Sequence, residues 1–190
     1  MLGKAIGIVI LAAGQSSRLG QPKQLIRKPN GDTLLAAAVK AGLKVSERVH
    51  VILGAKAAEI QPSIQDLPCK VLINSHWREG MASSVRASGQ LAEAHSWDAL
   101  ILTVCDQVFL SEETLLNLSK NPKKLTASRY SNGHQGTPVL VPKTHFRLLA
   151  MAKGDQGLRH ILKESKDLNQ VPFPNGHIDI DTREDLTRLT

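Results

Sequence analysis

Short apolar runs alternate with helix-forming segments over roughly the first 110 residues, and this alternation constrains the fold more than any other feature. The runs that predict strands cover 5–13, 48–53, 70–74 and 99–105. The first is apolar at every position except Gly7, which is typical of a strand covered by helices on both faces. Strand–helix alternation favours a parallel sheet with right-handed crossovers. We therefore predict an α/β fold with a doubly wound, mostly parallel sheet.

The segments between these runs predict helices at 33–43, 55–60, 79–94 and 111–120. Asp32 or Thr33 can cap the first helix and Ser111 the last, because short polar side chains accept hydrogen bonds from the free N–H groups of a first turn. In the third helix, the 3.6-residue period predicts three apolar residues turned inward: Met81, Val85 and Ala92.

The pattern changes after Pro122, where two short strands separated by a Gly-containing turn predict a small hairpin insertion. These strands are expected at 124–130 and 139–141. Helices follow at 144–152 and 156–164, then a short alternating strand at 178–181 and a terminal helix capped by Thr182 or Asp181. No linker or repeat divides the sequence, so we expect one domain over residues 1–190.

The charge balance favours an anionic partner. Lysines and arginines number 24 and acidic residues 17, which gives a formal net charge of +7 at pH 7. Aromatic residues make up only 3% of the chain, which argues against a nucleic-acid reader that stacks bases. The longest apolar stretch, 8–13, is far too short to span a membrane, and no signal peptide is evident, so a cytoplasmic protein without a membrane partner is the expectation.

Parallel α/β sheets bind ligands at the carboxyl ends of their strands, and this chain has polar segments there. Residues 14–23 follow the first predicted strand, 76–84 follow the third, and Asp106 follows the fourth. The first segment, LAAGQSSRLGQPKQL, combines small residues with Arg18 and Lys23, which is the composition of a polyphosphate cradle. It is neither a Walker A loop nor a GxGxxG turn. A strand followed by a solvated basic loop is the alternative.

Two carboxylate positions predict a metal site. Asp106 ends an apolar strand, where its side chain would project into the ligand crevice, and Mg²⁺ prefers such oxygen ligands. Asp179 and Asp181 lie two residues apart on a predicted strand and so share one face. Two carboxylates on one face suit a second metal contact. The alternative for Asp181 is to cap the terminal helix, which makes Asp179 slightly the better ligand candidate. We predict that Lys23 and Arg18 bind a triphosphate, Arg18 with a bidentate grip and Lys23 as a compact charge.

Six segments of the chain resemble, in order, the MobA-like nucleotidyltransferases of molybdenum cofactor biosynthesis. The first segment matches the family signature LAAGxSxRxGxPKxL at every fixed position. The others are NSHWREGMASSVRAS, CDQVFL, GHQGTPVL, KGDQGLRHIL and DIDTREDL. The LAAG form is more similar to the cytidylyl branch than to the LAGG form of guanylyl enzymes.

This resemblance implies a Rossmann-like nucleotidyltransferase fold and a Mg²⁺-dependent transfer. It implies CTP as donor, the phosphate of molybdopterin as acceptor, pyrophosphate as leaving group, and a molybdoenzyme that receives the product. The residues it assigns to the nucleotide, besides Lys23, are Leu11, Ala12, Ala13, Gly14, Ser83 and Ser84. Those it assigns to the acceptor side are Gly133, Gly136, Pro138, Gly154, Asp155 and Arg159.

The chain departs from the family pattern at three positions. Val108 replaces a usual proline, Thr137 stands where histidine is frequent, and Arg183 replaces a frequent proline. None removes a group that the chemistry needs. Two other hypotheses stay open at this point: the same fold acting with GTP or on a sugar or alditol phosphate, and a non-catalytic anion-binding module.

Overall fold

The computed structural model describes residues 5–154, 157–165 and 167–189. Seven strands form one sheet in the spatial order β3-β2-β1-β4-β6-β5-β7. Their bounds are β1 Ile6–Ala12, β2 Val49–Leu53, β3 Lys70–Ile73, β4 Ala99–Val104, β5 Thr126–Arg129, β6 Gln135–Pro142 and β7 Asn169–Pro172.

Six α-helices accompany the described strands, and several short 3-10 turns connect them. The helices are α1 Leu34–Leu43, α2 Ala57–Ile60, α3 Met81–Ala94, α4 Glu112–Ser119, α5 Phe146–Leu149 and α6 Arg159–Glu164. Thr33 and Ser111 cap α1 and α4, as predicted: each side chain accepts a hydrogen bond from the backbone N–H three residues later. None of the helices that the structure describes is long and apolar enough to cross a membrane.

The sheet is parallel except for β6, which pairs antiparallel with both β4 and β5. Both faces of the central strands are covered, because alternate residues of β1 and β4 enter two separate apolar clusters. Val9 and Leu102 pack on one side of the sheet, whereas Ile8 and Ile101 pack on the other. The predicted doubly wound, mostly parallel sheet with a hairpin is confirmed.

Three local predictions are wrong. Residues 178–181 form no strand: Asp179 makes one isolated antiparallel bridge with Gln107, and the seventh strand is instead β7. A terminal helix is present, as the 3-10 helix Glu184–Leu189, but its predicted cap is wrong: the carboxylate of Asp185 accepts hydrogen bonds from the backbone N–H groups of Asp181 and Thr182. Met81 does not turn inward: as the first residue of α3, it is 45% exposed.

Candidate active site

An ion-pair cluster lies where the carboxyl ends of the neighbouring strands β1 and β4 meet. Lys23, in the loop after β1, places its Nζ 2.5 Å from Asp106 Oδ2 and 2.7 Å from Asp181 Oδ1. Arg18 Nη2 lies 3.0 Å from the second oxygen of Asp181. The structure thus brings together four residues that the sequence analysis predicted separately.

The cluster shifts the ionisation of its members. Burial by itself would lower the pKa of the Lys23 ammonium, but the charge of Asp106 and the hydrogen bonds to Asp106 and Asp181 outweigh it and raise that pKa above its usual range. Burial opposes ionisation of Asp181, yet the hydrogen bond and charge of Lys23, with the charge of Arg18, lower its pKa. Lys23 and Asp181 are therefore both charged at neutral pH.

Asp179 differs from its neighbours. Burial, followed by the negative charges of Asp106 and Asp181, raises its pKa. Its position is fixed by the bridge with Gln107, and the backbone N–H of Ile180 donates to the carbonyl of Asp106 at 3.3 Å. The carboxyl-terminal segment is thereby joined to the end of β4, and three carboxylates gather around Lys23.

The carboxylates of this cluster fit a divalent metal if substrate and water supply the remaining ligands. Asp106 Oδ1 is buried and has no hydrogen-bond partner, and an oxygen in this state is free to bind a cation. Within residues 5–154, 157–165 and 167–189, no group of three or more His, Cys, Asp and Glu side chains is arranged to hold a metal by itself. Mg²⁺ typically uses one or two carboxylates and completes its shell with substrate phosphates and water. Asp106 and Asp181, which already bind one cation together, suit that arrangement.

Side chains of the loop after β1 fix its conformation by hydrogen bonds to its backbone. Gln24 is buried and donates from Nε2 to the carbonyls of Ala12 at 2.8 Å and Gly14 at 3.1 Å. Ser16 Oγ accepts from the backbone N–H of Lys23 at 3.1 Å. In the described part of the chain, no acceptor lies within hydrogen-bonding distance of the backbone N–H groups of residues 14–18. Such a loop can donate several N–H groups to an anion.

The other residues assigned to the nucleotide lie close to the protein interior. Leu11, Ala12 and Ala13 are buried at the end of β1, whereas Gly14 is exposed. Ser83 and Ser84, in the first turn of α3, are also buried, and the side-chain amide of Asn74 donates to both hydroxyls at 2.8 and 3.0 Å. Their hydroxyls thus have a structural partner, and their contact with a nucleotide stays a prediction.

A cavity of about 670 Å³ opens beside the cluster, and Asp106 and Asp179 form part of its wall. Of the residues assigned to the acceptor side, Gly136 and Arg159 line it. Gly154 lies beside the first turn of α3, where its carbonyl accepts a hydrogen bond from the backbone N–H of Ala82 at 3.0 Å. Asp155 lies outside the described residues. A polar cavity with convergent charged groups at the carboxyl edge of an α/β sheet is a typical substrate site.

Gln107 was missed as a candidate, although it stands within the quoted CDQVFL segment. It is only 6% exposed, and its Nε2 lies 2.9 Å from Thr137 O, 2.6 Å from Gly176 O and 3.1 Å from Tyr130 Oη. It therefore links the end of β4 to β6 and to the turn that precedes Asp179. A polar residue directly after an apolar strand and beside a proposed metal ligand is the signal that could have revealed it.

The three departures from the family pattern are accommodated locally. Val108 is buried in a third apolar cluster, and its carbonyl accepts from Lys28 Nζ at 2.8 Å, so the loop after Asp106 is anchored without proline. Thr137 precedes a cis peptide bond to Pro138 and lines the cavity. Arg183 lies close to Gly20, at the rim of the loop after β1.

Comparison with known proteins gives the family. The model of the MobA-like NTP transferase domain matches residues 8–170, and the chain therefore belongs to this family of nucleotidyltransferases. The predicted family resemblance is confirmed; the match covers the first five of the six segments, and the sixth, DIDTREDL, lies beyond its last residue.

Curated relatives fall into different activities. The chain is 28% identical to the nicotine blue oxidoreductase of Paenarthrobacter nicotinovorans, with 95% of this chain and 94% of that protein covered. It is 27% identical to the molybdenum cofactor cytidylyltransferase of Escherichia coli (96% and 94%). It is 34% identical to a probable molybdenum cofactor guanylyltransferase of Rhodopirellula baltica (70% and 64%).

Solved structures support the fold. The crystal structure of Rv0371c from Mycobacterium tuberculosis superposes with a TM-score of 0.84 at 26% identity and covers 100% of this chain and 98% of that one. A manganese complex of the same protein gives a TM-score of 0.79 at 24% identity, covering 98% of each chain. A nucleotidyl transferase from Methanothermobacter thermautotrophicus gives 0.82 at 23% identity, covering 98% and 96%.

Proposed function

We propose that this protein transfers CMP from CTP to the phosphate of molybdopterin, with Mg²⁺ as cofactor and release of pyrophosphate. One observation carries the proposal. Lys23 and Arg18, from the loop after β1, form ion pairs with two carboxylates: Asp106 after β4, and Asp181 in the carboxyl-terminal segment. A cavity large enough for a small-molecule acceptor opens beside this cluster.

The donor side is the loop after β1. Its N–H groups at residues 14–18, together with Lys23 and Arg18, would bind the triphosphate, since backbone donors and cations both stabilise phosphate charge. The choice of CTP rests on Ala13 in the LAAG form and on the cytidylyltransferase relative, which aligns over 96% of this chain.

The transfer needs alignment and charge stabilisation rather than a protein nucleophile. A phosphate oxygen of the acceptor attacks the α-phosphorus of CTP, the new P–O bond forms, and the bond from the α-phosphorus to the bridging oxygen breaks with release of pyrophosphate. Asp106, with Asp181, would hold the metal, which supplies positive charge against the reacting phosphates. Lys23 and Arg18 would stabilise the negative charge that develops on the leaving pyrophosphate.

The acceptor would occupy the 670 Å³ cavity. Arg159 at its wall is suited to a phosphate, and Gln107 and Tyr130 form a polar wall next to Asp106. A phosphate held there would lie close to Asp106 and therefore close to the proposed metal and the α-phosphorus of CTP.

A nucleotide panel tests the donor. Calorimetric titration with CTP, GTP and ATP, each with and without Mg²⁺, is expected to show Mg²⁺-dependent binding that favours CTP. Preference for GTP would move the protein to the guanylyl branch. Absence of nucleotide binding would refute the transferase proposal and favour a redox activity such as that of the oxidoreductase relative, or a simple anion-binding role. Sugar and alditol phosphates replace molybdopterin in a parallel turnover assay to test the acceptor.

A further inference from the structure

The ammonium group of Lys23 occupies the point that a divalent metal would need. Its Nζ contacts one oxygen of Asp106 and one of Asp181, at 2.5 and 2.7 Å, and its side chain is only 18% exposed. We propose that Lys23 is an internal counter-cation, which keeps free divalent metal out of the site until a nucleotide triphosphate draws the side chain away. This inference rests on the proposed metal-dependent function and adds an order of events to it.

The Lys23 ammonium group and a divalent metal compete for Asp106 and Asp181. The same two carboxylates cannot bind an ammonium group and a divalent cation at one point, because like charges at contact distance repel strongly in a partly buried site. The metal therefore has to displace a charged side chain that is held by two ion pairs.

A triphosphate can draw the Lys23 side chain away from the carboxylates because it offers the ammonium group another anionic partner, which a metal ion alone does not. The backbone of Lys23 is fixed by the hydrogen bond from its N–H to Ser16 Oγ, in the same loop whose N–H groups are free to bind phosphate. The Lys23 ammonium group can therefore move from the carboxylates to a bound phosphate by a change in its side chain alone. Arg18, whose side chain is 72% exposed, can follow without cost to the core and would release the second oxygen of Asp181.

The structure thus assigns an order of binding: metal enters with the nucleotide, and metal alone binds weakly. Asp106 Oδ1, which is buried and unpartnered, would remain available throughout, so the site is prepared for a cation but blocked at its centre. The arrangement also keeps two neighbouring carboxylates compensated in the absence of substrate.

The test measures Mn²⁺ binding without nucleotide, by the loss of the free-ion electron paramagnetic resonance signal. Lys23→Met is expected to bind Mn²⁺ at least about tenfold more tightly than the unmodified protein, since removal of a like charge at contact distance is worth this much or more. Lys40→Met is the matched control: Lys40 also forms an ion pair, with Asp32 at 2.6 Å, but it contacts neither Asp106 nor Asp181, and its removal is expected to leave Mn²⁺ binding unchanged. Equal Mn²⁺ affinity in Lys23→Met and the unmodified protein would overturn the proposal.

A second measurement needs no substitution. In the ¹⁵N-labelled unmodified protein, one lysine ammonium signal should be protected from exchange with water, and it should shift or broaden on addition of MgCTP but not of Mg²⁺ alone. The absence of a protected signal, or a shift produced equally by Mg²⁺ alone, would overturn the proposal even if Lys23→Met fails to fold. Failure of MgCTP to bind at all refutes the proposed function instead, and the Mn²⁺ comparison remains a separate test of the internal counter-cation.

Discussion

Replacement of Gln107 by methionine tests whether this side chain joins the metal-binding end of β4 to the acceptor cavity. Methionine is close to glutamine in length but donates no hydrogen bond. The substitution removes the bonds to the carbonyls of Thr137 and Gly176 and the longer bond to Tyr130 Oη. The Thr137 carbonyl keeps a hydrogen bond from Tyr130 Oη at 2.6 Å, whereas no other donor contacts that of Gly176 among the described residues.

The expected cost follows from these contacts. Each lost hydrogen bond contributes about 1 kcal/mol, and a buried carbonyl left without a partner adds about 1–3 kcal/mol. Removal of Oε1, which is buried and unpartnered in the native protein, offsets part of this. We expect a net loss of about 2 kcal/mol in the free energy of unfolding. For a chain of this size that corresponds to a fall of roughly 4–8 °C in Tm.

Urea denaturation and thermal unfolding measure the loss, and steady-state kinetics measure its consequence. Because Gln107 faces the cavity and not the loop after β1, the KM for the acceptor should rise while that for CTP stays constant. Gln135→Met is the control, since Gln135 lines the same cavity but is exposed, and its stability should change by no more than about 0.5 kcal/mol. Unchanged stability and kinetics in Gln107→Met would refute the reasoning.

Three further outcomes are expected. Asp106→Asn should lower turnover by about a hundredfold or more while circular dichroism stays native, and retained turnover would exclude Asp106 as the metal ligand. Gly7→Ala should destabilise the protein by at least about 1–3 kcal/mol in urea, because a Cβ there would lie 2.0 Å from ring atoms of Trp97; Gly14→Ala, where a Cβ meets nothing within 4 Å, is the control. Burial raises the pKa of the Cys105 thiol to about 12, so mass spectrometry should find Cys105 unalkylated by iodoacetamide at pH 8 in the folded protein, and rapid modification would contradict its buried, neutral state.

The central sheet was predictable because its signals are local. The apolar runs and the capping residues Thr33 and Ser111 specify β1 to β4 and their helices without reference to distant contacts. β7 was not predictable in the same way. This strand has only four residues, Asn169–Pro172, of which Val171 alone favours a strand, and it forms because the edge of β5 offers hydrogen bonds.

The candidate site was predictable in composition but not in arrangement. The sequence analysis grouped Lys23 with the phosphates and Asp106 with the metal, and it contained no signal that Lys23 would contact both carboxylates. That contact joins residues 158 positions apart and depends on how the last segment crosses the sheet edge. Met81 shows the same limit, because helical periodicity does not reveal that the first residue of α3 is exposed while the rest of its first turn is buried.

The most direct test of the central claim is the transfer itself. Purified protein, Mg²⁺ and α-labelled CTP are incubated with molybdopterin, with Asp106→Asn as the matched control, and the products are separated by chromatography. We expect the label to appear on molybdopterin with an equal amount of pyrophosphate released, and neither product in the control. Label that remains in CTP under these conditions, or transfer from GTP in preference to CTP, would contradict the account.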